Sequence, residues 1–161
     1  MKKASLNKIA CLAGLVAFGL AGPAGAASLE VRDFRSGAHY ACVDLADDRF
    51  TLSFTHSVSL TPVDDLYTVL GPPGGPYRIR QVAEVFTTHG QGLPSMEGEP
   101  DALGYLYEKD RFVLRLDRPI EQLILRSDPR FGNRMESGGL RLDLTAWPYV
   151  PILIEPVENC S

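Results

Sequence analysis

The sequence predicts an all-β fold: a single-domain antiparallel β-sandwich or open barrel of about eight short strands. Three observations point there. Short segments alternate apolar and polar residues with period two, most clearly at Phe50, Leu52, Phe54 and at Leu140, Leu142, Leu144. Clusters of Gly, Pro, Asp and Ser punctuate the chain, and 12 prolines with 15 glycines suit many tight connections. No segment carries a sustained apolar stripe at helical spacing.

Taken in order, the first strands are expected at Leu29–Phe34 and Tyr40–Leu45, closed by the turn residues Ala46-Asp47-Asp48. Arg49–His56 follows, with Phe50, Leu52 and Phe54 on its apolar face. Val63–Leu70 and Tyr77–Thr87 flank the turn Gly71-Pro72-Pro73-Gly74-Gly75-Pro76. From His89 to Leu106 the chain holds Gly90, Gly92, Pro94, Gly98 and Pro100, three acids and few β-branched residues, and reads as one long irregular loop. After the turn Glu108-Lys109-Asp110 come Arg111–Leu116 and Leu123–Arg126. Ser137-Gly138-Gly139 then introduces Leu140–Trp147, and Pro151–Glu155 ends the series. There is no internal repeat and no sign of a second domain.

The 161 residues carry a formal net charge of −4, unevenly spread. Residues 1–26 hold three of the 16 basic residues and none of the 20 acids, so the remainder carries −7. A basic start (Lys2, Lys3, Lys8), an uncharged apolar run from Ile9 to Gly22, and Ala24-Gly25-Ala26 form the three-part plan of a secretory signal peptide over residues 1–26. The run is too short to span a bilayer comfortably. Cys11 stands near the start of this run, with most of the run after it instead of before it, which argues against lipidation. The expectation is an exported, periplasmic β-domain over residues 27–161, without stable membrane insertion once the signal is cut. An uncleaved anchor is the alternative.

In an oxidising compartment the two remaining cysteines, Cys42 and Cys160, are expected to pair. Closing so long a loop is worth about 4–5 kcal/mol in chain-entropy terms. Without a C-x-x-C motif the bridge reads as structural.

Several activities are excluded or disfavoured. An acidic domain lacks the basic surface that nucleic acids or anionic membranes require. His56 and Ser57 are adjacent, so on a strand they face opposite ways and form no nucleophile–base pair. There is no G-x-S-x-G elbow and no Walker lysine. His39, His56 and His89 show no metal-ligand spacing. No catalytic, cofactor or metal constellation is complete, and the chain is expected not to be an enzyme.

The most informative pattern is one of phase. His56 continues the face of Phe50, Leu52 and Phe54; Asp65 shares a face with Val63, Tyr67 and Val69; Glu84 shares one with Val82 and Phe86. Three ionisable residues thus stand in apolar phase on three successive strands. They read as a polar cluster at one end of the sheet, either a structural His–carboxylate contact or a small-ligand or metal anchor. The loop residues His89, Gly90, Gly92, Leu93 and Pro94 are the candidate binding loop.

Phe54-Thr55-His56-Ser57-Val58 with Thr61-Pro62-Val63 and Asp65 resembles the H-S-V…P-V…E signature of the family known as domain of unknown function 1850. Glu84-Val85-Phe86 followed by Gly90-Gln91-Gly92-Leu93-Pro94 resembles that family's second signature, and Gly139–Leu144 its closing strand. The resemblance spans about residues 48–155. Asp65 stands where the pattern has Glu, Ser59 where an acid is common, and Gln91 where a small residue is usual. The resemblance implies a small exported or membrane-anchored protein, of a kind often encoded beside the fused permease of TAXI-type TRAP transporters. An accessory role in solute uptake follows, by contact with the permease or the solute-binding protein and without catalysis. The alternative is a small-ligand or metal-binding β-module built on His56, Asp65 and Glu84.

Overall fold

A computed structural model of the chain describes residues 27–72, 76–90, 92–94 and 99–160. The expected signal segment, residues 1–26, lies outside them. The strands are β1 Ser28–Asp33, β2 His39–Asp44, β3 Arg49–Thr55, β4 Pro62–Leu70, β5 Arg78–Phe86, β6 Ala102–Glu108, β7 Arg111–Ile120, β8 Leu123–Arg126, β9 Arg134–Ser137, β10 Leu140–Asp143 and β11 Pro151–Val157. They form two antiparallel sheets: one of four strands in the order β2-β1-β11-β8, one of seven in the order β10-β9-β3-β4-β5-β7-β6. Both sheets keep free edges, so the architecture is a sandwich and not a barrel.

The described residues hold eleven strands where about eight were expected. Two were not foreseen. Strand β6 occupies the end of the segment read as loop through Leu106. It is an exposed edge strand interrupted by Gly104, and a hairpin holds it. Lys109 and Asp110 both have positive φ (51° and 58°), the geometry of a tight two-residue hairpin turn. Strand β9 has three polar residues in four and buries only Met135 and Ser137, so it lacks an apolar signature. The expected strand Leu140–Trp147 stops at Asp143, whose side chain accepts a hydrogen bond from the Thr145 N–H and caps a 3₁₀ turn over Leu144–Ala146.

The main core lies between the sheets. Leu29, Val31, Ile152 and Ile154 of the small sheet meet Phe50, Leu52, Tyr67, Val69 and Ile79 of the large one. The large sheet is wider than its cover. Beyond the small sheet a second apolar group, Val63, Phe86, Leu114 and Leu116, is also buried. An aromatic cluster roofs it. Phe86 stacks on Phe112 at 5.6 Å between centroids, and His89 tilts over Phe112 at 4.1 Å. His89, just after β5, thus joins rings of β5, β6 and β7 over this part of the inner face. Pro94 is also buried.

Cys42 on β2 and Cys160 near the C-terminus stand as a disulfide pair, with Cα atoms 6.0 Å apart. The bridge fastens the end of the chain to an outer strand of the small sheet.

Candidate functional site

Strand register places the in-phase acids. Residues directly opposite on neighbouring antiparallel strands point to the same face. Leu52 is opposite Asp65, Asp65 opposite Glu84, and Glu84 opposite Leu114. One row across the inner face therefore reads Leu52, Asp65, Glu84, Leu114: two carboxyl groups side by side between leucines. They sit where the two apolar groups adjoin.

Both side chains are half-buried. Burial pushes the Asp65 carboxyl up to about 6, against hydrogen bonds from Tyr67 and Gln81 and the field of Arg118, all of which pull it down. Burial and then the neighbouring Asp65 charge push Glu84 up to about 7. Gln81 Nε2 donates to Asp65 Oδ1 at 3.0 Å, and the Tyr67 hydroxyl donates to Oδ2 at 3.4 Å. The Arg118 guanidinium donates to Gln81 Oε1 at 3.1 Å, to Glu99 Oε1 at 2.5 Å and to the Pro100 carbonyl at 3.3 Å. Arg118 thus holds the segment before β6 down on the sheet and reaches Asp65 only through Gln81.

Gln81 and Arg118 escape the simple phase reading for identifiable reasons. A bulge between Gln81 and Ala83 shifts β5 by one residue, so the buried partner of Glu84 and Phe86 is Gln81, not Val82. Strand β7 runs on to Ile120, past the expected end at Leu116. The alternation Leu114, Leu116, Arg118, Ile120 was the available signal.

His56 does not join the acids. It lies four positions beyond Leu52, about 13 Å further along the strand direction. Strand pairing ends at Thr55–Pro62, and His56 starts the turn that follows. Its backbone N–H donates to the Thr61 carbonyl at 2.8 Å. Its Nδ1 accepts the Ser59 N–H at 3.2 Å and lies 3.1 Å from Ser59 Oγ, which is 2.7 Å from Thr61 Oγ1. An accepting Nδ1 leaves the proton of the neutral ring on Nε2.

That ring faces the candidate loop instead. Gly92 has φ +87°, and a Cβ there would fall 3.3 Å from His56 Nε2. A glycine is required both by the backbone and by the close approach. Gly90 approaches Ser59, and the Leu93 N–H donates to the Gly90 carbonyl at 3.1 Å. His89 points elsewhere, with Nε2 3.0 Å from the Tyr105 hydroxyl inside the aromatic cluster. The two sequence signatures thus meet at one end of the large sheet, turn against loop. At the tip Val58 and Leu60 are 62% and 71% exposed, and Leu60 has a left-handed backbone (φ 54°).

A cavity of about 270 Å³ enters between the sheets beside Asp65. Leu52, Phe54, Leu123, Leu125 and Leu144 line it, with Asp65 and Tyr67 as polar members and Asn133 and Arg134 also on its wall. Among the described residues no group of three or more His, Cys, Asp and Glu side chains is placed to hold a metal ion. No described helix is long and apolar enough to cross a membrane.

Residues 50–144 match the family model described as Domain of unknown function (DUF1850). No curated protein and no solved structure matches the chain. The matched stretch begins at Phe50 in β3 and ends at Leu144, and contains the acid pair, the His56 turn and the loop.

Proposed function

We propose, from the premise that this chain belongs to the DUF1850 family, that it is a non-catalytic accessory module acting by protein contact through the His56 turn and the Gly90–Pro94 loop. The partner in this reading is the permease or the solute-binding protein of a TAXI-type TRAP transporter, met in the periplasm after export. One observation supports contact above all. Leu60 exposes 71% of its surface and adopts a backbone conformation that L-residues avoid. Neither property helps the isolated domain fold. Both make sense if the leucine is presented to a partner, where burying it would contribute about 1.5–3 kcal/mol.

The test is co-purification from crosslinked membranes of cells expressing the tagged protein with a TAXI permease. Recovery of the permease or its solute-binding protein with wild type, and loss with Leu60→Gly at equal protein level, supports the reading. Recovery that is unchanged by Leu60→Gly and Val58→Ser together sinks it.

A second reading has its own observation. The cavity beside Asp65 supports a small-ligand module, narrowed from the expected trio to Asp65 with Glu84 behind it.

A further inference from the structure

Asp65 is a carboxylate on the inner face of a sandwich, and among the described residues no Lys, Arg or His lies within ion-pair distance of it. Arg118, whose field reaches Asp65, is already engaged by Gln81, Glu99 and Pro100. What Asp65 does have is an amide donor at 3.0 Å, a long hydroxyl contact at 3.4 Å, and an apolar cavity of about 270 Å³ at its side. On the opposite wall Leu123 and Leu125 come from β8, the short edge strand of the small sheet. The arrangement is a recess lined mainly by hydrocarbon, with Asp65 as its one anionic group; Tyr67, Asn133 and Arg134 are also on its wall, and the Arg134 guanidinium donates to Glu136 Oε1 at 3.3 Å.

We propose that this recess is a binding site for a small primary amine with an apolar body, its ammonium on Asp65 and its alkyl chain against Leu52, Phe54, Leu123 and Leu125. The inference rests on the ligand-binding reading above and specifies its ligand class. The chemistry is direct. An ammonium offers three donors, and Asp65 spends only one good hydrogen bond within the protein. A carboxylate already stripped of much of its water gains more from a cation than an exposed one does. The leucines remove the alkyl chain from water. An anionic ligand meets Asp65 with the wrong sign, and a neutral alcohol of the same shape gains the apolar term alone. The volume equals about nine waters at ~30 Å³ each, and a methylene takes about the same share, so a primary amine of four or five carbons fits with room to spare.

The probes are n-butylammonium, n-butanol and n-butyrate, titrated into the full chain at pH 8 and constant ionic strength. The readout is the methyl NMR spectrum of Leu52, Leu123 and Leu125. The proposal expects butylammonium to shift these methyls with an affinity at least tenfold above that of butanol, and butyrate to leave them unmoved. Asp65→Asn, which keeps the size of the side chain, reduces butylammonium to the level of butanol. Leu125→Phe, which fills the recess and leaves Asp65 in place, weakens both. Equal response to amine and alcohol, or amine preference that survives Asp65→Asn, overturns the proposal. A response to butyrate alone overturns the amine class and leaves a ligand site standing. Methyls unmoved by all three probes, in a chain shown to be folded by its dispersed spectrum, overturn the site as well.

Discussion

Replacing Glu84 by glutamine tests the acid pair. Both carboxyl groups are held above their ordinary values, Asp65 at about 6 from 3.8 and Glu84 at about 7 from 4.5. The folded state therefore binds protons more tightly than the unfolded chain does. The stability these groups allow is fully present below pH 4 and is lost as pH rises through 6 to 7. Raising a carboxyl by about two pH units costs its ionised form about 3 kcal/mol. The two costs do not simply add, because the Asp65 charge is part of what raises Glu84. Glu84→Gln keeps the shape and removes one charge. At pH 8 it should stabilise the protein by about 2–3 kcal/mol, and at pH 4 it should match wild type within about 0.5 kcal/mol. The assay is urea unfolding between pH 4 and 8, followed by the fluorescence of Trp147, the single tryptophan, which stacks on Tyr40 at 4.7 Å. The carboxyls of Asp33, Asp128 and Asp143, held low by hydrogen bonds, titrate below this window. A wild-type stability that is flat or rises from pH 4.5 to 8, or a glutamine variant equally destabilised at both ends, refutes the reasoning.

Other outcomes follow from single contacts. Gly92→Ala should destabilise by about 1–2 kcal/mol, since it adds a Cβ 3.3 Å from His56 Nε2 at a left-handed backbone; thermal unfolding measures it, and a neutral result would mean that the loop is not packed on the turn. Leu60→Gly should leave stability unchanged or raise it by up to about 1 kcal/mol while removing partner recovery; a large loss of stability would assign Leu60 to folding instead. Phe86→Ala should cost about 3–5 kcal/mol, because the side chain is fully buried at the centre of the second apolar group. Cys42→Ser with Cys160→Ser should cost about 2–5 kcal/mol by urea unfolding, and dithiothreitol should lower wild type to the same level.

The β character and the apolar phase of Asp65 and Glu84 were legible in the sequence, because period-two alternation tells which face a residue joins; that they stand side by side follows only from the pairing of β3, β4 and β5. What alternation does not encode is displacement. The bulge at Gln81 moved the buried polar partner by one residue, and the turn at His56 took the imidazole out of the strand just where phase placed it among the acids. Strand β6 was hidden because an edge strand needs no apolar face of its own; its hairpin with β7 defines it. Strand β9 is short and mostly polar, and only its pairing with β3 and β10 reveals it.

The small sheet sets the first strand against the last, with Ser28 opposite Val157 and Asp33 opposite Ile152. A chain emerging from its N-terminus cannot build this layer until Pro151–Val157 is available. Until then the inner face of β3, β4 and β5 has no cover, and β1 and β2 have no partner beyond each other. Folding of the small sheet consequently waits for β11: a molecule truncated before Pro151 loses an inner strand of that layer, and Cys42 waits for a partner 118 positions later. The interval between synthesis of β1 and of β11 is the period in which a holding chaperone is most needed.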